Sequence, residues 1–260
     1  MEKMTSKEVK ELAYSMGADL CGIAGIDRFE GAPEGYAPTD LMPSCKSVIV
    51  LARSYPAGYL QCTDPAVPYT VIRNVLSNML DALSIDFIAA LEKKGIVAIT
   101  TGAIDPTNFD VATGRMRQVV SAKHSARAAG LGVIGRNTLL INEEYGNMVW
   151  LVVVLTEIEL EADPIVEKDY CGSCTLCIDV CPAKATGKLG PDGQPTIDQF
   201  ACKDYAFGTP NGGDWRVTCV RCRSICPHAL GTKNKSVERK PMGLISGGYM
   251  FNAPAPDAES

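Results

Sequence analysis

The sequence predicts an α/β domain followed by a small cysteine-rich α+β module, and three observations carry that prediction. Segments with helical apolar spacing alternate with short apolar runs over roughly the first 160 residues. Eight of the eleven cysteines then fall between Cys171 and Cys226. Between the two regions, Glu159–Glu167 is acidic with a single proline and reads as a linker. The expected organisation is an α/β domain over residues 1–160, a cysteine module over 161–235 and a C-terminal tail over 236–260.

The first helix is set by Thr5-x-x-Glu8, a capping-box pattern, with Val9, Leu12, Ala13 and Met16 on one face before Gly17. Leu20–Ala24 follows as a short strand. Asp27–Pro43 is a loop, and Ser47–Ala52 is too continuously apolar for a strand covered on one face only. Pro56–Pro68 is irregular. From Val71 to Lys94 a long helix is expected, with Val71, Val75, Leu80, Leu83, Phe87, Ala90 and Leu91 inward and Gly95 at its end. Ile96–Thr100 reads as a strand, and Thr101–Val119 has no clear period and the length of a binding loop. Ser121–Gly130 is a short Ala-rich helix running into Leu131–Ile141, where Gly130, Gly132 and Gly135 let the backbone turn sharply or approach a bound group closely. Thr138–Asn142 and Met148–Glu157 are expected to form a hairpin through the turn Glu143–Asn147.

Cys171–Cys181 has the spacing C-x2-C-x2-C-x3-C followed by Pro182, the run by which bacterial-type ferredoxins hold a [4Fe–4S] cluster. Downstream, Cys202 is followed by Cys219, Cys222 and Cys226, closed by Pro227. In such runs the fourth cysteine serves the neighbouring cluster. That rule assigns Cys171, Cys174, Cys177 and Cys226 to one cluster, and Cys181, Cys202, Cys219 and Cys222 to the other. C-x2-C pairs also bind zinc, but two sets of four, each ending in Cys-Pro, favour two cubanes. Cys21, Cys45 and Cys62 have no partner at ligand spacing and read as small buried or half-buried residues.

The balance of 25 basic to 30 acidic residues gives no global basic field, so no nucleic-acid partner is expected. The N-terminus lacks a secretory pattern, and the longest apolar run, Met148–Leu155, is far short of the ~20 residues of a membrane span. A cytoplasmic protein without a membrane partner is expected, its cysteines serving metal rather than disulfides.

Ser121-Ala122-Lys123-His124-Ser125-Ala126-Arg127-Ala128-Ala129-Gly130-Leu131-Gly132-Val133-Ile134-Gly135-Arg136-Asn137, running on through Asn142, Tyr145-Gly146 and Leu155-Thr156, resembles the central block of epoxyqueuosine reductases. Cys202-Lys203-Asp204-Tyr205 and Cys219–Pro227 match that family's second cluster motif. The resemblance implies an architecture shared with reductive dehalogenases: a nitroreductase-like α/β domain of the cobalamin-reductase type, and a two-cluster ferredoxin domain that delivers low-potential electrons from an external donor to a corrinoid. It also exposes departures. The family's proton-donating aspartate precedes the Ala-Gly-Leu-Gly motif, whereas Arg115–Val120 contains no acid, the nearest being Asp105 and Asp110. The helical repeats that grip transfer RNA in longer members have no counterpart, since the sequence ends about thirty residues after Cys226. A short relative with another substrate is therefore expected.

Within the matching block, His124 is the candidate proton donor, with a helix-capping role as its alternative. Gly132, Gly135, Arg136 and Asn137 are the candidate cofactor-binding residues. Lys123, Arg127 and Arg136 read either as contacts to a cofactor's phosphate or amide groups or as solvated charges, with Arg136 the best placed. His228 reads as packing or a hydrogen-bond donor beside a cluster. Asp-x-His-x-x-Gly is absent, so a bound corrin's lower axial position is left without a protein histidine. The competing reading is a non-catalytic electron carrier or activator, with a protein electron acceptor as its partner.

Overall fold

The computed structural model describes residues 4–62, 65–104, 107–190, 193–209 and 213–234. Asp105 and the tail 236–260 lie outside the described residues. In chain order the elements are α1 (Ser6–Ser15), β1 (Leu20–Gly25), α2 (Pro38–Leu41), β2 (Ser47–Ser54), α3 (Ala66–Glu92), β3 (Ala98–Thr100), β4 (Thr107–Asp110), β5 (Arg115–Gln118) and α4 (Ala122–Ala128). There follow β6 (Val133–Ile134), β7 (Leu140–Ile141), β8 (Val149–Thr156), α5 (Leu176–Asp179), β9 (Lys188–Leu189), β10 (Pro195–Thr196), α6 (Gln199–Ala206), β11 (Phe207–Gly208), β12 (Arg216–Val217) and α7 (Arg221–Ser224).

The chain divides into two compact units that interleave in sequence rather than following one another across residue 160. The first takes Met1–Ser54, Val75–Val133 and Val149–Lys168, the second Tyr55–Asn74, Ile134–Met148 and Asp169 onward.

The first unit is built on a four-stranded sheet in the order β1-β2-β8-β3, antiparallel throughout, with Ile23 opposite Ile49, Ile49 opposite Val154 and Ile99 opposite Leu155. One face carries Cys21, Ile23, Ile49, Leu51, Val152 and Val154 against Val9 and Ala13 of α1 and Leu80, Leu83, Phe87 and Leu91 of α3. The other face meets α4. A Cβ on Gly22 would lie 2.4 Å from the Ala129 carbonyl oxygen, so the glycine lets the end of that helix rest on the strand. Coverage on both faces is why Ser47–Ala52 is wholly buried. The Thr5–Glu8 capping box forms as expected, and Gly17 takes the left-handed conformation, φ +97°, after α1.

Three expectations are corrected. α3 begins at Ala66 and buries Leu76, Leu80, Leu83, Phe87 and Leu91, while Val71 and Val75 are exposed. Val71 and Val75 precede Leu80 by offsets that, at about 100° per residue, turn them about 180° and 140° away from it, onto the opposite face. Thr101–Val119 contains the β4–β5 hairpin, which pairs Asp110 with Arg115 and Thr107 with Gln118. β7 pairs with β6, not with β8, which lies between β2 and β3. α3 is also long and apolar enough to cross a membrane by length and composition alone; one row of it packs on the sheet, and its Asp81 carboxylate accepts the Ala103 N–H at 2.7 Å.

Candidate metal centre

In the second unit the first cysteine loop is shaped by backbone hydrogen bonds. The Asp169 carboxylate accepts the N–H groups of Cys171 and Gly172, both at 2.9 Å, and is held below its usual pKa by those two bonds. Gly172 is left-handed at φ +47°, and the Cys174 N–H returns to the Cys171 carbonyl at 2.8 Å. Cys177 lies on α5, with its carbonyl accepting the Thr186 hydroxyl at 3.1 Å. In the second run, Asp198 caps α6, which carries Cys202, and Cys222 sits on α7.

The thiols sense one another in groups. Burial pushes Cys177 up to about 11, with added repulsion from Cys222, Cys171, Cys226 and Cys174. Burial likewise pushes Cys219 up to about 12, against Cys222 and Cys202, and Cys222 upward, against Cys181. Each raised thiol needs a cation, a metal or a donor to become a thiolate. Backbone donors already face several of these sulfurs, among them Arg136 N–H to Cys171 Sγ at 3.5 Å and Ala185 N–H to Cys181 Sγ at 3.3 Å. Among the described residues, no three His, Cys, Asp or Glu side chains converge tightly enough to hold a single metal ion. A zinc tetrahedron, with Zn–S bonds of about 2.3 Å, would require sulfurs within about 4 Å of one another.

The glycine block serves these loops. The Thr138 N–H closes a tight turn onto the Gly135 carbonyl at 2.8 Å, and Thr138 itself is left-handed at φ +59°, a costly conformation for a β-branched residue. The turn presents Arg136 and Asn137. Arg136 donates to the carbonyls of Gly172 at 2.7 Å and Cys174 at 3.1 Å, and Asn137 donates to that of Cys222 at 3.0 Å. Both side chains thus brace cysteine loops. Asn147 adds a third brace, donating to the Arg223 carbonyl at 3.1 Å while its own carbonyl accepts the Arg223 guanidinium. Gly146, left-handed at φ +60°, lets the His228 and Ala229 carbonyls approach closely. The His228 ring meets Tyr170 edge-on at 5.1 Å.

Of the remaining candidates, His124, Gly132, Cys21 and Cys45 lie in the first unit and Cys62 in the second. His124, exposed on α4, shares a hydrogen bond of 2.7 Å between its Nδ1 and the Ser121 hydroxyl. Gly132 is left-handed at φ +152°. Cys21 and Cys45 are buried and Cys62 half-buried, and burial pushes the Cys21 thiol up to about 12. Sequence reasoning missed Asn147, Arg223 and the tyrosines around it, whose only signal was the position of Arg223 directly after a ligand-spaced cysteine.

No protein-family model matches the chain. An epoxyqueuosine reductase from Gloeobacter violaceus is 31% identical over 259 residues, covering 87% of this chain and 76% of that protein. The chain belongs to the epoxyqueuosine reductase family. A Bacillus subtilis family member, solved with an aspartate-bearing catalytic loop swung out of its active site, superposes with a TM-score of 0.57 at 24% identity, over 90% of this chain and 68% of that one. A reductive dehalogenase whose structure suggested a mechanism for B12-dependent dehalogenation shares the fold at a TM-score of 0.60 and 17% identity, over 85% of this chain and 31% of that one.

Proposed function

We propose that the chain is an iron–sulfur oxidoreductase that moves low-potential electrons from an external donor, through two [4Fe–4S] clusters, to a bound cofactor or substrate. The observation that carries this reading is the grouping of the thiols. The repulsion on Cys177 comes from Cys222, Cys171, Cys226 and Cys174, that on Cys219 from Cys222 and Cys202, and that on Cys222 from Cys181. Apart from the Cys222–Cys177 coupling, which crosses between them, this pattern supports the two sets the spacing assigns, each able to hold a [4Fe–4S] cluster. When bound, such clusters supply one-electron carriers. The chain's part is to hold the thiolates: N–H donors face Cys171 and Cys181, and Arg136, Asn137 and Asn147 fix the loops that carry the ligands.

A corrinoid is the terminal cofactor implied by the family. Of the residues expected to hold it, Arg136 and Asn137 are engaged with the cysteine loops, which leaves the backbone at Gly132 and Gly135. The substrate proposed is not epoxyqueuosine. Arg115–Val120 contains no acid, and the nearby Asp110 is tied to Arg117 at 2.7 Å and to the Thr113 hydroxyl. The same facts favour, as a second reading, an electron carrier that serves a protein acceptor.

Anaerobic reconstitution with iron and sulfide, followed by titration with cob(II)alamin, tests both. The proposal expects about eight irons per chain and a cobalt paramagnetic signal altered at one equivalent. Full iron with a cobalt signal identical to that of free cofactor selects the carrier, and a chain that takes up no iron overturns both readings.

A further inference from the structure

Arg223 is 6% exposed, and among the described residues no carboxylate pairs with it. Its guanidinium donates to the Asn147 carbonyl and lies 4.8 Å from the centre of the Tyr55 ring and 6.0 Å from that of Tyr69. Those two rings stack in parallel at 5.5 Å, and Tyr59 closes on Tyr69 at 5.3 Å. Burial works against the charge of Arg223, and the groups that favour it are Tyr69, Tyr55, Tyr59 and Cys222. Phenols are neutral near pH 7, and burial pushes those of Tyr55 and Tyr59 further up. A buried guanidinium cannot shed its proton and is costly without a counter-charge. Arg223 directly follows Cys222 on α7, and Cys222 becomes a full anion on binding metal.

We propose that Arg223 is a charge-positioning residue for the cluster held by Cys181, Cys202, Cys219 and Cys222: its fixed cation, walled in by tyrosine, stabilises the reduced form of that cluster. The inference rests on the iron–sulfur reading. In the step concerned the external donor loses one electron and the cluster gains it, with no proton transferred. The cluster becomes more negative by one charge, and a neighbouring cation screened by protein rather than water favours that product. Asn147 belongs to the device, because its main-chain carbonyl accepts the guanidinium and its side-chain amide donates to the Arg223 carbonyl, which hold the arginine in place without neutralising it.

The test is the midpoint potential of each cluster, read by paramagnetic resonance in redox titrations of the reconstituted full chain. Arg223→Gln should disfavour reduction of one cluster at least tenfold, about 59 mV for a one-electron couple, with a much smaller change at the other, and Arg223→Lys should restore most of it. Unchanged potentials in Arg223→Gln would overturn the proposal, as would an equal shift in Arg223→Lys, which would indicate packing rather than charge. If Arg223→Gln does not retain iron, the near-isosteric Asn147→Asp decides. A carboxylate beside the guanidinium should lower the same potential, and wild-type values there would refute the inference. Wild-type protein without two cubane signals would instead remove the reading on which it rests.

Discussion

The guanidinium of Arg136 and the carbonyl of Gly172 lie 2.7 Å apart, and the same side chain reaches the Cys174 carbonyl at 3.1 Å. One residue of the glycine block therefore bridges two positions of the first cysteine loop, across Gly172, whose left-handed backbone leaves its carbonyl free to accept. Hydrogen bonds to a charged donor contribute about 1.5–3 kcal/mol each when well formed, less where water competes. Arg136→Ala should cost about 2 kcal/mol of stability in the iron-loaded protein and speed iron release to a chelator. Arg136→Lys should recover only part of this, because an ammonium lacks the planar fork that serves two carbonyls. Urea midpoints with and without iron measure it; equal losses in both states would show that the arginine serves the fold and not the loop.

Cys174→Ser and Cys219→Ser are each expected to remove one cluster and about half the iron, since the ligands fall into two sets of four. The loss should also loosen the backbone from about Cys171 to Cys226, because a small cysteine-rich module draws much of its folding energy from its metal. Iron analysis together with hydrogen exchange checks both effects, and wild-type iron in either variant would overturn the ligand assignment.

The eight cysteines proposed as ligands could be grouped from the sequence alone, because the spacings a metal cluster imposes are short and survive in one dimension. The layers around β2 were legible for a similar reason: Ser47–Ala52 is apolar on both faces, and both faces prove to be covered. The β4–β5 hairpin left no such trace, because Thr107, Asn108 and Phe109 are all exposed and no alternation records an inner face. The pairing of β8 with β2 and β3 is non-local, so the nearer β7 was the partner the sequence suggested. Arg136 was found as a candidate, but its hydrogen bonds to the Gly172 and Cys174 carbonyls were not foreseen, since a cation beside glycines reads alike whether it faces a cofactor or a backbone carbonyl. Arg223 was invisible, because an arginine between cysteines resembles a solvated charge until the three tyrosines around it are seen.

Gly146 tests the clamp on the second Cys-Pro segment. A Cβ there would lie 2.1 Å from the His228 carbonyl oxygen and 2.3 Å from that of Ala229, at a backbone φ of +60°. Nothing flexible can yield, since both obstacles are backbone. Gly146→Ala should therefore destabilise the protein by about 3 kcal/mol, combining left-handed strain with overpacking. The Thr232 and Lys233 N–H groups, which bond to the Glu143 and Glu144 carbonyls at 2.9 and 2.8 Å, should lose protection from exchange. A variant with the wild-type denaturation midpoint would contradict the close packing.

The β4–β5 hairpin has an acid-sensitive fastening. The Thr113 hydroxyl first, and the Arg117 guanidinium next, hold the Asp110 carboxyl down to about 2, with the Ala112 and Thr113 N–H groups adding to it. A carboxylate whose folded pKa is depressed stabilises at any pH above its unfolded value, about 3.9 for aspartate. That contribution fades as the pH falls from about 4 toward 2, once the unfolded state binds the proton more readily than the folded one. Asp110→Asn reproduces the protonated state at neutral pH without exposing acid-labile groups to acid. It should raise hydrogen exchange at Ala112 and Thr113 several-fold at pH 7 and leave the Ser47–Ala52 strand unchanged, because the hairpin and the core sheet do not share strands. Exchange at Thr113 equal to wild type would show that turn geometry alone holds the hairpin, and the pH window would then disappear with it.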